Sequence, residues 1–256
     1  MRQFTAFVKK EFLEQLRSGK LLILAFLFCL FGIMNPAMAR LTPWLMELLS
    51  DQLAESGMIV AGVEVNALTS WTQYFKNMPI ALMICIVMFS GILTSEYQSG
   101  TLIHIVTRGM KRWKILTAKT LIMAVFWTIG SLVCYGITYG YNAYFWDNSV
   151  AAHVFTAAFC GYLAGLWLIT VIPLASACFD SAPAVVISVG AVYLAGYLAG
   201  LIPKLKSYTP VSLMNAWALL AGAESAENYG FAIAVAVALT ALHIAAAAAV
   251  FNRKNL

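Results

Sequence analysis

Three histidines, five cysteines and eleven carboxylates are the side chains of this 256-residue chain that could carry metal, nucleophilic or acid–base chemistry. Their spacing argues against each. Cys29, Cys85, Cys134, Cys160 and Cys178 all fall inside apolar stretches, match no zinc or redox pattern and are odd in number, which reads as small buried hydrophobes. His243 has no second His, Cys or carboxylate at metal-ligand spacing, so a helix-contact role is expected of it. Neither a G-x-S-x-G elbow, an H-E-x-x-H pair nor a G-x-x-x-x-G-K-[ST] loop occurs, and Ser18-Gly19-Lys20 lacks the earlier glycine such a loop needs. The chain itself is therefore expected not to be an enzyme, with no catalytic, cofactor-binding or metal residues.

The elements that would position any remaining chemistry follow from composition. The chain is 62% hydrophobic and 11% charged, against about 45–50% and about 25% for an ordinary soluble domain. Too little polar surface remains to cover a water-facing globule of this length, so an integral membrane protein is expected. A helix crosses the bilayer core with about 20 apolar residues, and six uncharged runs meet that need: 21–39, 77–95 with a start as early as Trp71, a run within 120–146, 154–179, 183–203 and 230–251. The fourth and fifth are divided at Asp180-Ser181-Ala182-Pro183, because proline disfavours helix in the residue before it and opens a helix well. The fold class is all-α and polytopic, one membrane domain over 1–256.

An even number of spans puts both termini on one side. That side carries Arg2, Lys9, Lys10, Arg17, Lys20, the five cations from Arg108 to Lys119, Arg253 and Lys254, for a net +8, against −3 opposite. By the positive-inside rule both termini are expected in the cytoplasm, in a bacterial cell membrane. The overall charge of +5 is then a matter of topology, and no nucleic-acid partner is expected. A competing reading takes 1–39 as a secretory signal ending at Asn35-Pro36 and Ala37-Met38-Ala39; its 20-residue lead with two glutamates is long for that role.

Three segments lie outside the spans. Residues 1–19 form an amphipathic helix with Phe4, Phe7, Val8, Phe12 and Leu16 opposite Lys9, Lys10, Glu14 and Arg17, and Glu11 intruding at one edge; it is expected on the inner membrane surface, against lipid. Within the external loop 41–76, Trp44, Leu45, Leu48, Leu49 and Leu53 oppose Glu47, Asp51 and Glu55, which predicts a second surface helix. Within 204–229, residues 211–223 are apolar but too short to cross, and read as a re-entrant or interfacial segment that could gate the outer side. Glycine pairs one turn apart, 136 with 140, 161 with 165 and 196 with 200, permit close helix packing.

The remaining cytoplasmic loop, 96–119, holds an ordered series: Glu96 closing span two, then Gly100-Thr101-Leu102, a short apolar stretch Ile103-His104-Ile105-Val106, a basic-aromatic turn through Arg108, Arg112 and Trp113, and Lys119 opening span three. This series, with the amphipathic first helix, six spans and broken external segment, resembles the permease subunits of type-2 ATP-binding-cassette (ABC) transporters. The resemblance covers the whole plan of the chain, with one departure: Gly109 stands where many members have proline. It implies a membrane exporter working by alternating access, with a second, identical permease chain and two copies of a cytoplasmic ATPase that carries the ATP and Mg. It implies that Glu96, Gly100, Thr101, Leu102, Ile103, His104, Ile105, Val106, Arg108, Arg112 and Lys119 couple to that ATPase. It also makes Gly196 and Gly200 candidates for the interface between permeases, and Asn35 a candidate for the interface or the pathway lining. The physical logic agrees: a coupling element wants an apolar knob with a polar rim, Gly100 permits a sharp bend, and the Thr101 hydroxyl could cap the short helix.

Antimicrobial peptides, drugs and lipids are the expected substrates. Two other readings stay open: a scaffold or sensor whose 96–119 loop docks a partner without transport, and an ion-coupled carrier. The second is weakened because no Asp, Glu, Lys or Arg is expected mid-span.

Overall fold

The structure, a computed structural model, describes residues 2–48 and 65–254. No strand occurs among them, and the chain is an all-α, multi-pass membrane protein. Its helices are α1 (Arg2–Arg17), α2 (Lys20–Leu48), α3 (Ala67–Phe89), α4 (Gly91–Gln98), α5 (Thr101–Thr107), α6 (Arg112–Phe145), α7 (Val154–Cys178), α8 (Ala182–Gly200), α9 (Pro203–Lys206) and α10 (Gly230–Arg253). Six stretches are long and apolar enough to span a bilayer: α2, α3 with α4, α6, α7, α8 and α10. Helix is what such sequences must form, since lipid offers the backbone no hydrogen-bond partner.

Two spans run longer than their uncharged cores. The second begins at Ala67, where the Asn66 side chain accepts a bond from the Thr69 N–H (3.2 Å), so Lys76 lies inside it with its side chain exposed. The third begins at Arg112 rather than near 120, and its 34 residues exceed what a hydrocarbon core of ~30 Å requires. Lys119 is therefore two turns inside a helix, a placement that the search for uncharged runs missed.

The first span continues unbroken through Asn35-Pro36 to Leu48 and carries Trp44 and Leu45 within it. The expected second surface helix is thus, as far as Leu48, an extension of span one; Leu49, Asp51, Leu53 and Glu55 lie outside the described residues. Proline at 36 deprives the Gly32 carbonyl of its helical donor. The Thr138 hydroxyl of α6 replaces it (3.2 Å), and its oxygen accepts from Asn35 Nδ2 (3.0 Å), while Asn35 Oδ1 accepts from Asn77 Nδ2 of α3 (2.7 Å). A proline that would weaken an isolated helix thus becomes a polar clamp joining three spans. Asn35 is wholly buried in that clamp.

The most buried span is α7, packed by α10, α6, α8 and the 3-10 segment Pro210–Leu219. Leu213, Ala216 and Leu219 of that segment are fully buried against α7, α8, α3 and α10, so it lies within the bundle rather than along its surface. Gly196 and Gly200 face it: a Cβ at Gly196 would stand 2.7 Å from Val211, and one at Gly200 3.3 Å from Thr209. Their close approach is thus made within the chain. Gly165 is similarly filled by Trp127, which a Cβ would meet at 2.2 Å, whereas Gly136 has open space. Gly165→Leu should therefore lower stability by about 1–3 kcal/mol, the cost of overpacking, and Gly136→Ala should not. Thermal survival of the monodisperse detergent-solubilised protein would check the pair.

Candidate functional site

The site predicted from the loop 96–119 is built at the end of the bundle where α1, α5, the start of α6 and the end of α10 meet. Helix α5 is framed by two glycines in the left-handed region, Gly100 at φ +67° and Gly109 at φ +85°. The first permits the bend out of α4, as its position suggested. At the second a proline, whose ring holds φ near −65°, could not make this turn. Thr101 does not cap the helix: Gly100 is the N-cap residue, and the Thr101 hydroxyl pairs with that of Ser99 at 3.0 Å.

The apolar stretch of α5 is divided by its own helical period. Leu102 is buried in the core, and Ile105 and Val106 are half-buried against it. Ile103, His104, Thr107 and Arg108 point away and are exposed. The outward knob is therefore Ile103 with a polar rim of His104 and Arg108, smaller than the four-residue knob read from sequence.

Glu96 does not belong to that rim. It is buried beside Lys119, whose Nζ lies 3.0 Å from Glu96 Oε1 and 2.7 Å from Glu11 Oε2 of α1. Glu11 and Lys119 are only 1% and 2% exposed. Lys10 adds contacts to Glu11 at 2.9 Å, Glu14 at 2.6 Å and Glu96 at 3.7 Å. Glu11, Glu14 and Glu96 converge closely enough to hold a cation, but the two lysine ammoniums already lie on their oxygens, so the cluster is an internal ion-pair network. Burying charge is tolerated only where it is paired in this way.

That network accounts for α1. Phe7, Glu11 and Gln15 are buried on one face, and Phe12 packs its ring 5.8 Å from Phe126 of α6. The helix is amphipathic as expected, but the face assigned to lipid rests on α6 and α2. The intrusion of Glu11 on the apolar edge was the one sequence signal of this partnership.

At the rim of the network, burial alone would raise the carboxyl of Glu14, yet the bond from Lys10 and the charges of Lys10, Lys119 and Lys20 together outweigh it and hold the group below its ordinary value. Burial likewise opposes the charge of Lys10, and its bonds to Glu14 and Glu11 with the charges of Glu11 and Glu96 together outweigh that and raise it. A depressed carboxyl contributes stability above its unfolded value and loses it as pH falls through the folded one. Glu14→Gln should thus cost at most about 1 kcal/mol near neutral pH, since the pair is half-exposed. The difference in melting between variant and wild type should vanish on acidification.

A second cluster closes the same end of the bundle. Arg112 donates through Nη1 to the carbonyl oxygens of Phe251 (3.3 Å), Asn252 (3.5 Å) and Lys254, capping the end of α10. Lys254 pairs with Asp180 at 2.6 Å and lies over the Tyr97 ring at 4.2 Å, while Gln98 Nε2 donates to the Asp180 carbonyl at 3.3 Å. Of the residues singled out from sequence, Glu96, Lys119 and Arg112 thus act inward as positioning groups, and Ile103, His104 and Arg108 remain outward. Glu11, Asp180, Lys254 and Tyr97 were not among the candidate coupling residues.

A family model described as "Protein of unknown function (DUF2705)" matches residues 54–256. The chain belongs to the DUF2705 family. The matched stretch holds α5, Glu96, Lys119 and the Asp180–Lys254 pair, while Glu11 and Asn35 precede it. No curated protein matches the chain.

Proposed function

We propose that this DUF2705 member is the membrane-spanning permease subunit of an ATP-driven exporter, set in a bacterial cytoplasmic membrane with both termini inside. The observation that carries the reading is α5: a short helix held between two left-handed glycines, presenting Ile103, His104 and Arg108 outward and following directly on α4, whose Glu96 pairs with Lys119 of α6, itself paired with Glu11 of α1. A partner ATPase that grips the outward face would move all three helices together. Such an attachment suits a coupling element, because a displacement of α5 is passed through α4 to the buried ion pairs that join α1 and α6.

Apolar cargo is supported by a cavity of about 260 Å³ between α3, α7 and α8, lined by Leu82, Ile86, Leu168, Val189 and Tyr193 and bounded by Met214 of the 3-10 segment. It carries no charged residue, which suits a lipid or drug more than a saccharide. The outer faces of α2 and α8, with Phe26, Leu194 and Leu198 exposed, are available to a second copy of the chain.

Affinity purification of the tagged chain from its native membranes should bring down an ABC-type ATPase, whose hydrolysis in lipid nanodiscs rises with this chain and responds to transported substrate. Ile103→Asp should abolish that rise. Absence of any ATPase, or hydrolysis indifferent to substrate, would leave the scaffold reading in its place.

A further inference from the structure

The cavity of about 260 Å³ beside α8 is an elongated groove: it runs along α3 from Pro79 to Ile86 and along α8 from Val186 to Tyr193, about 10 Å on each helix. The two helices are held apart there. Val185 and Val189 are the buried residues of α8, and a Cβ added at Gly190 would have nothing within 4 Å. Met83, which lines the groove, is 66% exposed, so the groove opens sideways to the bilayer.

The end of this groove away from the ion-pair network is polar. Gln98, closing α4, bonds the Asp180 carbonyl just before α8, so α3 and α8 run antiparallel, and the lining stops at Pro79 on one and Tyr193 on the other. One turn beyond stand Lys76 on α3 and Tyr197 on α8, both exposed, with the Tyr197 ring stacked on that of Tyr193 at 6.5 Å. Lys76 lies two turns from Met83 on the same helix face. It also immediately precedes the uncharged run 77–95, whose length matches the hydrocarbon core, so its ammonium stands at the headgroup boundary. At the same end of the bundle Arg40 lies over the Phe145 ring and Lys206 pairs with Glu224, whereas Lys76 has neither ring nor carboxylate against it among the described residues. A cation at the edge of hydrocarbon without a counter-charge is costly.

We propose that the groove holds one acyl chain of an anionic phospholipid from the leaflet at this end, with its phosphate accepting from the Lys76 ammonium and the Tyr197 hydroxyl. An ammonium and a phenol both donate, and phosphate oxygens accept, so the head complements both groups. Below them the groove carries no charged residue and suits only the chain. An engineered cavity of ~150 Å³ admits benzene, so this volume holds a stretch of a single chain, lying along the helices as a lipid chain does. A cationic amphiphile would be repelled by Lys76, and a zwitterionic lipid brings a counter-charge of its own. The groove is the one that the exporter reading gives to apolar cargo, and on that reading the lipid is cargo at its point of release; that role rests on the exporter reading, the binding does not.

The test uses the full chain in phosphatidylcholine nanodiscs doped with phosphatidylglycerol carrying a diazirine in one acyl chain, with labelled residues mapped by mass spectrometry. Labelling should saturate, fall on Met83 and the other groove residues of α3 and α8, and be competed by unlabelled phosphatidylglycerol. The matching phosphatidylcholine probe should label these residues about fivefold to tenfold less, as befits one charge-assisted hydrogen bond at a partly wet interface. Lys76→Gln should bring the phosphatidylglycerol probe down to that level, and Lys76→Arg should keep the preference. Gly190→Leu, which fills the groove, should abolish labelling there by both probes; should that variant misfold by size exclusion, the exposed Lys76→Gln decides alone. Non-saturable labelling, equal labelling by the two probes, indifference to Lys76→Gln, or competition by palmitate but not by phosphatidylglycerol overturns the proposal. No ATPase takes part, so failure here would leave the exporter reading standing, and the reverse holds too.

Discussion

Lys119→Met should destabilise the chain by about 3–5 kcal/mol, the cost of removing one partner from a buried ion pair. Methionine fills nearly the same space, so the loss is electrostatic rather than a matter of packing. It leaves the Glu11 carboxylate, 1% exposed, and the buried Glu96 with Lys10 as their one ion-pair partner among the described residues, and Lys10 is already engaged by Glu14 at 2.6 Å. The triple variant Lys119→Met, Glu11→Gln, Glu96→Gln should recover most of the loss, because it removes the uncompensated charge along with the pair. Replacing a whole buried ion pair by neutral groups is often close to neutral. Lys9→Met, on the exposed face of α1, is the control and should stay within about 0.5 kcal/mol of wild type. Chemical unfolding in detergent micelles measures all three. A Lys119→Met variant as stable as wild type, or a triple variant worse than the single, would show that α1 is not held by this network.

The same network shows where sequence reasoning succeeds and where it stops. Helical spans are local consequences of long apolar runs, so the break at Asp180-Ser181 and the division into α7 and α8 were legible residue by residue. The start of α6 was not: searching for uncharged runs discards Lys119, whereas a lysine with two carboxylate partners belongs inside the helix. Those partners sit 108 residues away, for Glu11, and on the preceding span, for Glu96, and nothing local announces either. Asn35 poses the opposite difficulty. A polar residue inside a span reads equally well as pathway lining or as packing, and in this structure Asn35 packs, bonded to Thr138, whose hydroxyl meets the Gly32 carbonyl freed by Pro36. The glycine pairs were legible as close-approach sites but not in their partners, since Gly196 meets Val211 across a chain reversal no periodicity encodes. On α5 the order of residues was plain, yet its orientation depends on Leu102 finding the core, and that divides the predicted knob between inside and outside.

Gly100→Val should leave the protein inserted and folded while reducing substrate-stimulated hydrolysis and transport by about 5–30-fold, the effect of ~1–2 kcal/mol at one equilibrium. The argument separates sterics from backbone. Nothing lies within 4 Å of a Cβ added at Gly100, so the substitution meets no side chain; its whole cost is the left-handed backbone at φ +67°, which a β-branched residue resists. The chain can relieve that cost by rotating α5 about its root, and rotation carries Ile103 and Arg108 away from the face a partner would grip. Gly109→Pro should act in the same direction from the other end, since φ +85° lies outside the range of proline. Gly100→Asn supplies the discriminating control, because asparagine tolerates the left-handed region better than valine and should retain most of the coupling. Measuring hydrolysis and transport on the same reconstituted samples separates coupling from assembly: retained association with the ATPase but lost stimulation places the defect in α5. Full stimulation in both Gly100→Val and Gly109→Pro would mean that the orientation of this helix is irrelevant to the partner, and the coupling role of residues 100–109 would have to be given up.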